Sequence, residues 1–456
     1  MFNTPSRAPL SRWERLAILL LVYTVVAFGL LVLLRGAFLQ RRMCDLGCFQ
    51  RAAWAVRTGG DIYDVIDDNG WHYNYPPLFA ILFTPLADPP FTEDHAGYVP
   101  HAWSVVIFYV LNVICLCVGV HVLASALQER STDPAFRDQP TFCRRWWALR
   151  FVPVLICLSP IGHTLMRGQV NILILSMLCA ALACWLRGLN FRAGLWLAVA
   201  ICIKVIPAYL LVYPLWKRDG KALLGSAVGL VLGLVIIPGA VFGPEGAITH
   251  YQTYSRVFFG PLLNMSEDTS RKKEIVGVNA TDSVGVKNAI HNWMYRDPFD
   301  RPQDMHGLGK VFYLLLGFAM TFLTLWPTTR QGERAGQGLL AAHPFAGLIV
   351  LMTIFSPVSH SHYLMFCLPI TMCLLAKVWE SKETLAVPRW LVAVFVIFVA
   401  TMAVAYLPGL EILKDRCAAL FATLPLWAIP MVQTWQAIRN TPPSAPAQNP
   451  PMRAAA

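Results

Sequence analysis

Charged residues are scarce in this chain. Asp, Glu, Lys and Arg make up 14% of its 456 residues, whereas hydrophobic residues make up 56%. A soluble globular protein carries roughly 25% charged residues. A water-soluble fold, a disordered chain and a disulfide scaffold are therefore excluded. The composition predicts an all-α polytopic membrane protein, because helices satisfy their backbone polar groups within the bilayer.

Motifs for several other chemistries are also missing. The net charge is +11, but no dense basic stripe or recognition motif accompanies it, so no nucleic-acid partner is expected. Most of the 12 cysteines lie in apolar runs, where cysteine packs as a small hydrophobic residue. The helical spacing of Cys44 and Cys48 does not favour a disulfide, and no His/Cys cluster has zinc-like spacing.

Apolar runs of about 20 residues predict the membrane spans. Ten runs are long enough: 16–39, 100–127, 148–166, 169–186, 222–243, 308–327, 341–358, 363–379, 390–408 and 417–437. The first run follows Arg7, Arg12 and Arg15 and resembles a signal peptide, but its length and the lack of an A-x-A site favour a retained anchor.

The run 193–216 has two interpretations, because Lys204 and Pro207 interrupt it. It crosses once, or it folds back near Lys204 as two short helices. The fold-back version collects more Lys and Arg on the cytoplasmic side, as the positive-inside rule expects. We therefore predict about twelve helices with both termini in the cytoplasm.

Two long loops then lie on the outer side, about 40–100 and 243–307. The short apolar run from Leu78 to Ala87 ends in prolines and is predicted as a re-entrant or interfacial element of the first loop. Residues 1–440 are interpreted as one transmembrane domain. The Pro- and Ala-rich tail, 441–456, is predicted to be disordered and cytoplasmic.

Polar residues in the first outer loop are the first candidates for a site. Asp45 directly follows the first span, where a carboxylate beside apolar surface can act as a general base. The alternative is a surface carboxylate paired with a nearby arginine, Arg41 or Arg42. Further along, Asp61, Tyr63 and Tyr75 could bind a sugar, although the tyrosines also fit an interfacial aromatic belt.

A second group of candidates lies at or within predicted spans. Arg167, Gln169 and Asn171 lie between two spans, and polar groups at that depth indicate a lined cavity. Capping of a helix by Asn171 is the alternative. Lys204 has no acidic residue near it in sequence and suits a phosphate, although it could instead snorkel to the interface.

Two histidines and an asparagine form the third group of candidate site residues. His360 and His362 lie at the outer end of two spans and could touch an anion; metal binding is the weaker interpretation, because the sequence offers no third ligand. Asn279 lies in a polar turn of the second outer loop. With the fold-back topology Asp45, the Gln169–Asn171 turn, Lys204 and His360/His362 face the same side of the membrane. A base, a cation and hydrogen-bond donors on one face predict a site for phosphate-linked lipid chemistry.

The order and spacing of these residues resemble those of a known family. The motifs are Asp45, Asp61-Ile62-Tyr63-Asp64, Tyr75-Pro76-Pro77-Leu78-Phe79, Gly168-Gln169-Val170-Asn171, Ile203-Lys204-Val205-Ile206-Pro207, Asn279 and Ser356-Pro357-Val358-Ser359-x-x-His362. From Leu16 to Trp379 the chain is similar to glycosyltransferase family 87, the bacterial polyprenyl-phosphate-mannose-dependent α-mannosyltransferases of the GT-C superfamily. His360 stands where the family usually has Trp, and Tyr363 where it often has a second His.

The resemblance implies a GT-C-like bundle and an inverting sugar transfer. Asp45 would be the general base for the acceptor hydroxyl. Lys204, His362 and Arg167 would stabilise the leaving polyprenyl phosphate. The partners would be a lipid-linked sugar donor, mannose by default or a pentose, and a glycolipid or polysaccharide acceptor. A monophosphate leaving group and the lack of an Asp-x-Asp pair imply no metal or other cofactor. A transporter or flippase of lipid-linked sugars is the competing hypothesis.

Overall fold

The structure is a computed structural model. It describes residues 11–39, 44–263, 271, 274–275, 283–297, 300–302, 304–330, 338–380, 384–404 and 407–440. Asn279, Arg41, Arg42 and the tail 441–456 lie outside these residues. The described part is helical, and its β-structure is limited to two isolated bridges. The predicted all-α class is therefore confirmed.

The helices of the described part are joined by connections of very different length. In chain order they are α1 (Arg12–Leu33), α2 (Cys44–Thr58), α3 (Pro77–Leu82), α4 (His101–Arg130), α5 (Pro134–Arg137), α6 (Arg144–Ile156), α7 (Leu158–Arg167), α8 (Asn171–Leu186), α9 (Asn190–Ile203), α10 (Val212–Trp216), α11 (Gly220–Val231), α12 (Ile237–Tyr254), α13 (Gly260–Leu263), α14 (Val286–Met294), α15 (Gly307–Arg330), α16 (His343–Ile354), α17 (Leu368–Glu380), α18 (Arg389–Val404), α19 (Glu411–Asp415) and α20 (Ala418–Asn440).

Six helical segments among the described residues are long and apolar enough to cross a membrane, or seven if the bent pair α6 and α7 is one span. The chain is a multi-pass membrane protein. Three other predicted spans (169–186, 341–358 and 390–408) and both halves of 193–216 correspond to shorter apolar helices of 10–17 residues. The all-helical architecture agrees with the expectation, whereas the figure of about twelve membrane helices stays a prediction.

Lipid-facing surfaces account for much of the exposed apolar area. In α1 Leu19 is 66% exposed, and in α15 Phe318 is 73% exposed. Such surfaces are stable only in contact with hydrocarbon. By contrast, every residue of α16 is buried, so this helix lies at the centre of the bundle.

The segment 193–216 folds back, as the two-helix interpretation expects. Helix α9 ends at Lys204, whose backbone is extended (φ −147°, ψ 128°), and a 3-10 turn then leads into α10. The return is complete, because Tyr213 in α10 packs on Trp185 at the far end of α8, with ring centroids 5.2 Å apart. Lys204 therefore lies at one end of the bundle, here called the site end, and Trp185 at the other, the opposite end.

The two long loops are more helical than predicted. The first contains α2, and its short apolar run forms α3, whose residues Pro77 to Ala80 are buried. The second was expected to begin near residue 243, but the helix continues through a kink at Gly243 (φ 74°, ψ 162°). The predicted start of the loop is therefore a kink within the helix. Glycine adopts this backbone without strain, and Pro244, which follows it, cannot continue the regular hydrogen bonding.

Candidate active site at one end of the bundle

Asp45 is held in the first turn of α2. A carboxylate there is favoured by the positive end of the helix dipole. The inner face of α2 is buried, and Phe49 packs edge-on against Tyr75 and Phe79, at centroid distances of 5.1 and 4.9 Å. The segment Tyr75-Pro76-Pro77, here called the Tyr-Pro-Pro segment, thus holds α2 in position. Helix α2 in turn positions Asp45.

The ionic partner of Asp45 lies 122 positions further along the chain. Asp45 Oδ2 is 3.5 Å from Nε of Arg167, the last residue of α7. After Arg167 the chain turns sharply at Gly168, which has a left-handed backbone (φ 63°). This turn brings Gln169 and Asn171 to the same end as Asp45. The pairing with Arg41 or Arg42 considered above lies outside the described residues.

Lys204 is a buried cation with neutral partners. Its residue is 8% exposed, and its Nζ donates to Asn171 Oδ1 and to the Tyr363 hydroxyl, both at 2.9 Å. No carboxylate of the described residues lies within 4.0 Å of it. Its ammonium group therefore points into the bundle, and the interpretation that Lys204 snorkels to the interface is wrong. A buried cation without a counter-ion is costly and favours binding of an anion.

The amides around Lys204 are only partly satisfied. Asn171 is the first residue of α8, and no side chain caps that helix, so the capping interpretation of Asn171 is wrong. Asn171 Nδ2 and Gln169 Oε1 are buried and have no hydrogen-bond partner among the described residues. Buried polar atoms are rarely left unpaired without a functional reason. These atoms are thus available to a ligand.

Tyr75 lies near both Asp45 and Lys204. Desolvation raises the pKa of its phenol well above the ordinary value, and Asp45 and Tyr363 raise it further. Its ring centroid is 5.3 Å from Lys204 Nζ. Tyr75 therefore remains neutral at physiological pH and offers a ring face beside the cation.

Three histidines, His163, His360 and His362, form a cluster next to Tyr363. His362 is fully buried, and neither ring nitrogen has a hydrogen-bond partner among the described residues. Its ring stacks on His360 at 5.5 Å and meets His163 edge-on at 5.4 Å. The described residues hold no group of three or more His, Cys, Asp or Glu able to bind a metal ion.

Sequence reasoning missed two residues of this group. His163 stands four residues before Arg167, one turn away on the same face of α7, and its Nδ1 is 3.3 Å from Ser361 Oγ. That spacing was the available signal. In the sequence Tyr363 is only a departure from the family pattern, and its contact with Lys204 follows from the fold.

Asp61 and Tyr63 lie behind this group. Tyr63 is 1% exposed, stacks on Tyr254 at 5.4 Å and donates to the backbone oxygen of Tyr75 at 3.0 Å. Asp61 accepts from the Tyr63 amide and lies 3.4 Å from His250 Nδ1. Their contacts support Tyr75, and Tyr63 does not form part of an interfacial aromatic belt.

Comparison with known proteins gives the family. Residues 73–357 match the model of glycosyltransferase family 87. The chain is 26% identical over 318 residues to a polyprenol-phosphate-mannose-dependent alpha-(1-2)-phosphatidylinositol mannoside mannosyltransferase of Mycobacterium tuberculosis, covering 68% of this chain and 64% of the relative. It therefore spans less than two thirds of that relative's length.

Other relatives carry different acceptors or sugars in their names. A polyprenol-phosphate-mannose-dependent alpha-(1-2)-phosphatidylinositol pentamannoside mannosyltransferase of Mycolicibacterium smegmatis is 26% identical, over 82% of this chain and 79% of the relative. An alpha-(1->3)-arabinofuranosyltransferase of Corynebacterium glutamicum is 26% identical over 52% of each chain. No solved structure gives a significant match. Because the family model covers more than half of the sequence, this chain belongs to glycosyltransferase family 87.

Proposed function

We propose that this protein transfers a sugar from a polyprenyl-phosphate donor to a hydroxyl of a glycolipid or polysaccharide acceptor. The reaction takes place at the site end, on the outer face of the cell membrane, with inversion at the anomeric carbon. Residues 1–440 form one domain of about twelve membrane helices, and both termini are cytoplasmic. Mannose is the sugar proposed first, and an arabinofuranosyl or other pentosyl donor is the alternative.

One observation carries the proposal: the carboxylate of Asp45 and the buried ammonium of Lys204, whose partners are neutral, both lie near Tyr75 at one end of the bundle. Asp45 takes the proton of the acceptor hydroxyl as its oxygen attacks the anomeric carbon. The bond from that carbon to the phosphate oxygen breaks, and the electron pair leaves with polyprenyl phosphate. Lys204 and Arg167 stabilise the growing negative charge, which is worth more in a site that excludes water. His362 contributes a hydrogen bond from a ring nitrogen.

The remaining candidates bind or hold the sugar. Gln169 and Asn171 supply unpaired amide atoms, and Tyr75 supplies a ring face. His360 extends the histidine cluster next to His362. Asp61 and Tyr63 act through Tyr75, and Asn279 is proposed as a further substrate contact from its motif alone.

The decisive experiment measures release of polyprenyl phosphate by purified protein supplied with donor and candidate acceptors. Asp45→Asn keeps the size of the side chain but removes the base, so we expect turnover to fall by about 10²–10⁴-fold. Asp94→Asn, a change of an exposed carboxylate in the same loop but outside the motifs, is the control. Equal turnover of Asp45→Asn and wild type would remove Asp45 from its role. Transport of intact donor without release would favour the flippase.

Metal dependence gives a second prediction. A monophosphate leaving group is stabilised here by side-chain cations, so we expect turnover to be unchanged after treatment with a chelator. The measurement is release of polyprenyl phosphate before and after chelation, with divalent ions then added back. Loss of activity that a divalent ion restores would contradict the proposal.

A further inference from the structure

A cavity lies at the opposite end of the bundle, away from Asp45. Its volume is about 830 Å³, within the range of ordinary ligand sites. It opens among the ends of α8, α9, α10 and α11. We call it the basal cavity and define it by Trp185, Tyr213, Lys217, Arg218, Lys221 and Leu224.

A tightly held turn forms one side of the basal cavity. Asp219 Oδ1 accepts from the Ala222 amide at 3.1 Å and so caps α11, while its Oδ2 accepts from Trp185 Nε1 at 3.3 Å. Arg218, just before it, has a left-handed backbone (φ 50°). The acidic residue of the lining is thus used in building the turn.

The basic residues of the cavity outnumber its one acidic residue, Asp219. Lys217, Arg218 and Lys221 form no ion pair within 4.0 Å among the residues that the structure describes. Nearby, Arg187 does have such a partner, since it makes two contacts of 2.7 Å with Glu129. The positive-inside rule explains basic residues at this end, but it does not explain their convergence on a cavity. That arrangement suits an anion.

The other walls are apolar. Leu182, Leu186 and Leu224 line the cavity together with the Trp185 and Tyr213 rings. Leu224 is 59% exposed, so this wall opens towards the lipid-facing surface. A free phosphate ion would gain nothing from such walls, whereas a lipid would place its chains along them and its headgroup at the lysines.

We propose that the basal cavity binds the phosphate headgroup of an anionic membrane lipid. This site is separate from the sugar-transfer site, because α8 and α9 run between them. It would hold a lipid of the leaflet opposite to that of the reaction.

The test is native mass spectrometry of the purified full chain in detergent, titrated with phosphatidylglycerol. Lys217→Gln/Lys221→Gln removes two exposed charges, so we expect lipid affinity to fall about tenfold or more. Lys217→Arg/Lys221→Arg should retain binding. Arg144→Gln/Arg192→Gln removes two exposed charges at the same end but outside the cavity, and should change affinity less than about twofold.

Inorganic phosphate, titrated alone, separates the two sources of the anion. Phosphate binding that depends on Lys217 and Lys221, together with lipid binding that does not, would assign the cavity to free phosphate and overturn the proposal. Equal losses in the cavity and control variants would reduce the effect to net charge and overturn it as well. Lipid binding that only the cavity variant loses supports the proposal.

Discussion

Lys204 shows how one residue serves both the turn and the site. Its extended backbone ends α9 and lets the chain fold back, and its side chain reaches Asn171 and Tyr363. Both partners are neutral, so the charge remains available to a phosphate. A structural lysine at this depth would be expected to have a carboxylate partner.

Substitution of Lys204 is predicted to weaken the stabilisation of the donor's leaving phosphate. Lys204→Gln keeps a hydrogen-bonding group but removes the charge, so turnover should fall by about 10²–10³-fold, as for loss of one electrostatic stabiliser. Tyr363→Phe removes only one hydrogen-bond partner of the lysine. It should raise the activation free energy of turnover by about 1 kcal/mol or slightly more. Rates and KM for the donor are measured with Lys310→Gln, an exposed lysine, as control. Similar rates for Lys204→Gln and Lys310→Gln would contradict the role.

At the scale of the elements, α9 and α11 pack unusually closely. A Cβ added at Gly194 would lie 2.0 Å from the Ala222 oxygen, and one at Gly225 would lie 2.1 Å from the Phe191 oxygen. Small residues permit such approach of membrane helices. The contact holds α11 against α9 and so stabilises the fold-back that places Lys204.

This packing gives a stability prediction. Gly194→Ala should destabilise the protein by about 1–3 kcal/mol, because the helices must move apart. Gly239→Ala also lies in a helix, but nothing lies within 4 Å of its added Cβ, so it should be neutral or slightly stabilising. Thermal unfolding in detergent measures both. Equal midpoints for the two variants would be inconsistent with close packing at Gly194.

The two long loops meet at the site end, which the sequence did not predict. Arg271 donates to the backbone oxygen of Tyr73, and Glu274 accepts from Asn74 at 2.8 Å. Further along, the Val284 amide donates to the Ser359 oxygen at 2.7 Å, next to the histidines. The second loop therefore braces both the Tyr-Pro-Pro segment and the histidine segment.

At the scale of the whole molecule, the two ends of the bundle differ. The site end holds Asp45 and Lys204, and the opposite end holds the basal cavity with Lys217, Arg218 and Lys221. The positive-inside rule predicts that the basic end lies in the cytoplasm, and on that basis we expect the site to face outward.

Orientation can be tested with epitope tags. The turn at Gly97 is exposed, with open space around it, and lies just before α4 at the site end. A tag inserted there should be stained on intact cells or spheroplasts, whereas a tag at the C-terminus should be stained only after permeabilisation. The reverse pattern would place the site in the cytoplasm.

The sequence by itself determined the membrane class, the approximate bounds of the long helices, the break at Lys204 and the family. These follow from local chemistry, since an apolar run or a proline has the same meaning wherever the chain folds. Only the tertiary structure decided which side chains contact one another across the chain. Lys204 meets Tyr363 across 159 positions, and Asn74 meets Glu274 across 200. Such contacts depend on how helices pack in three dimensions, and no local pattern of residues encodes them.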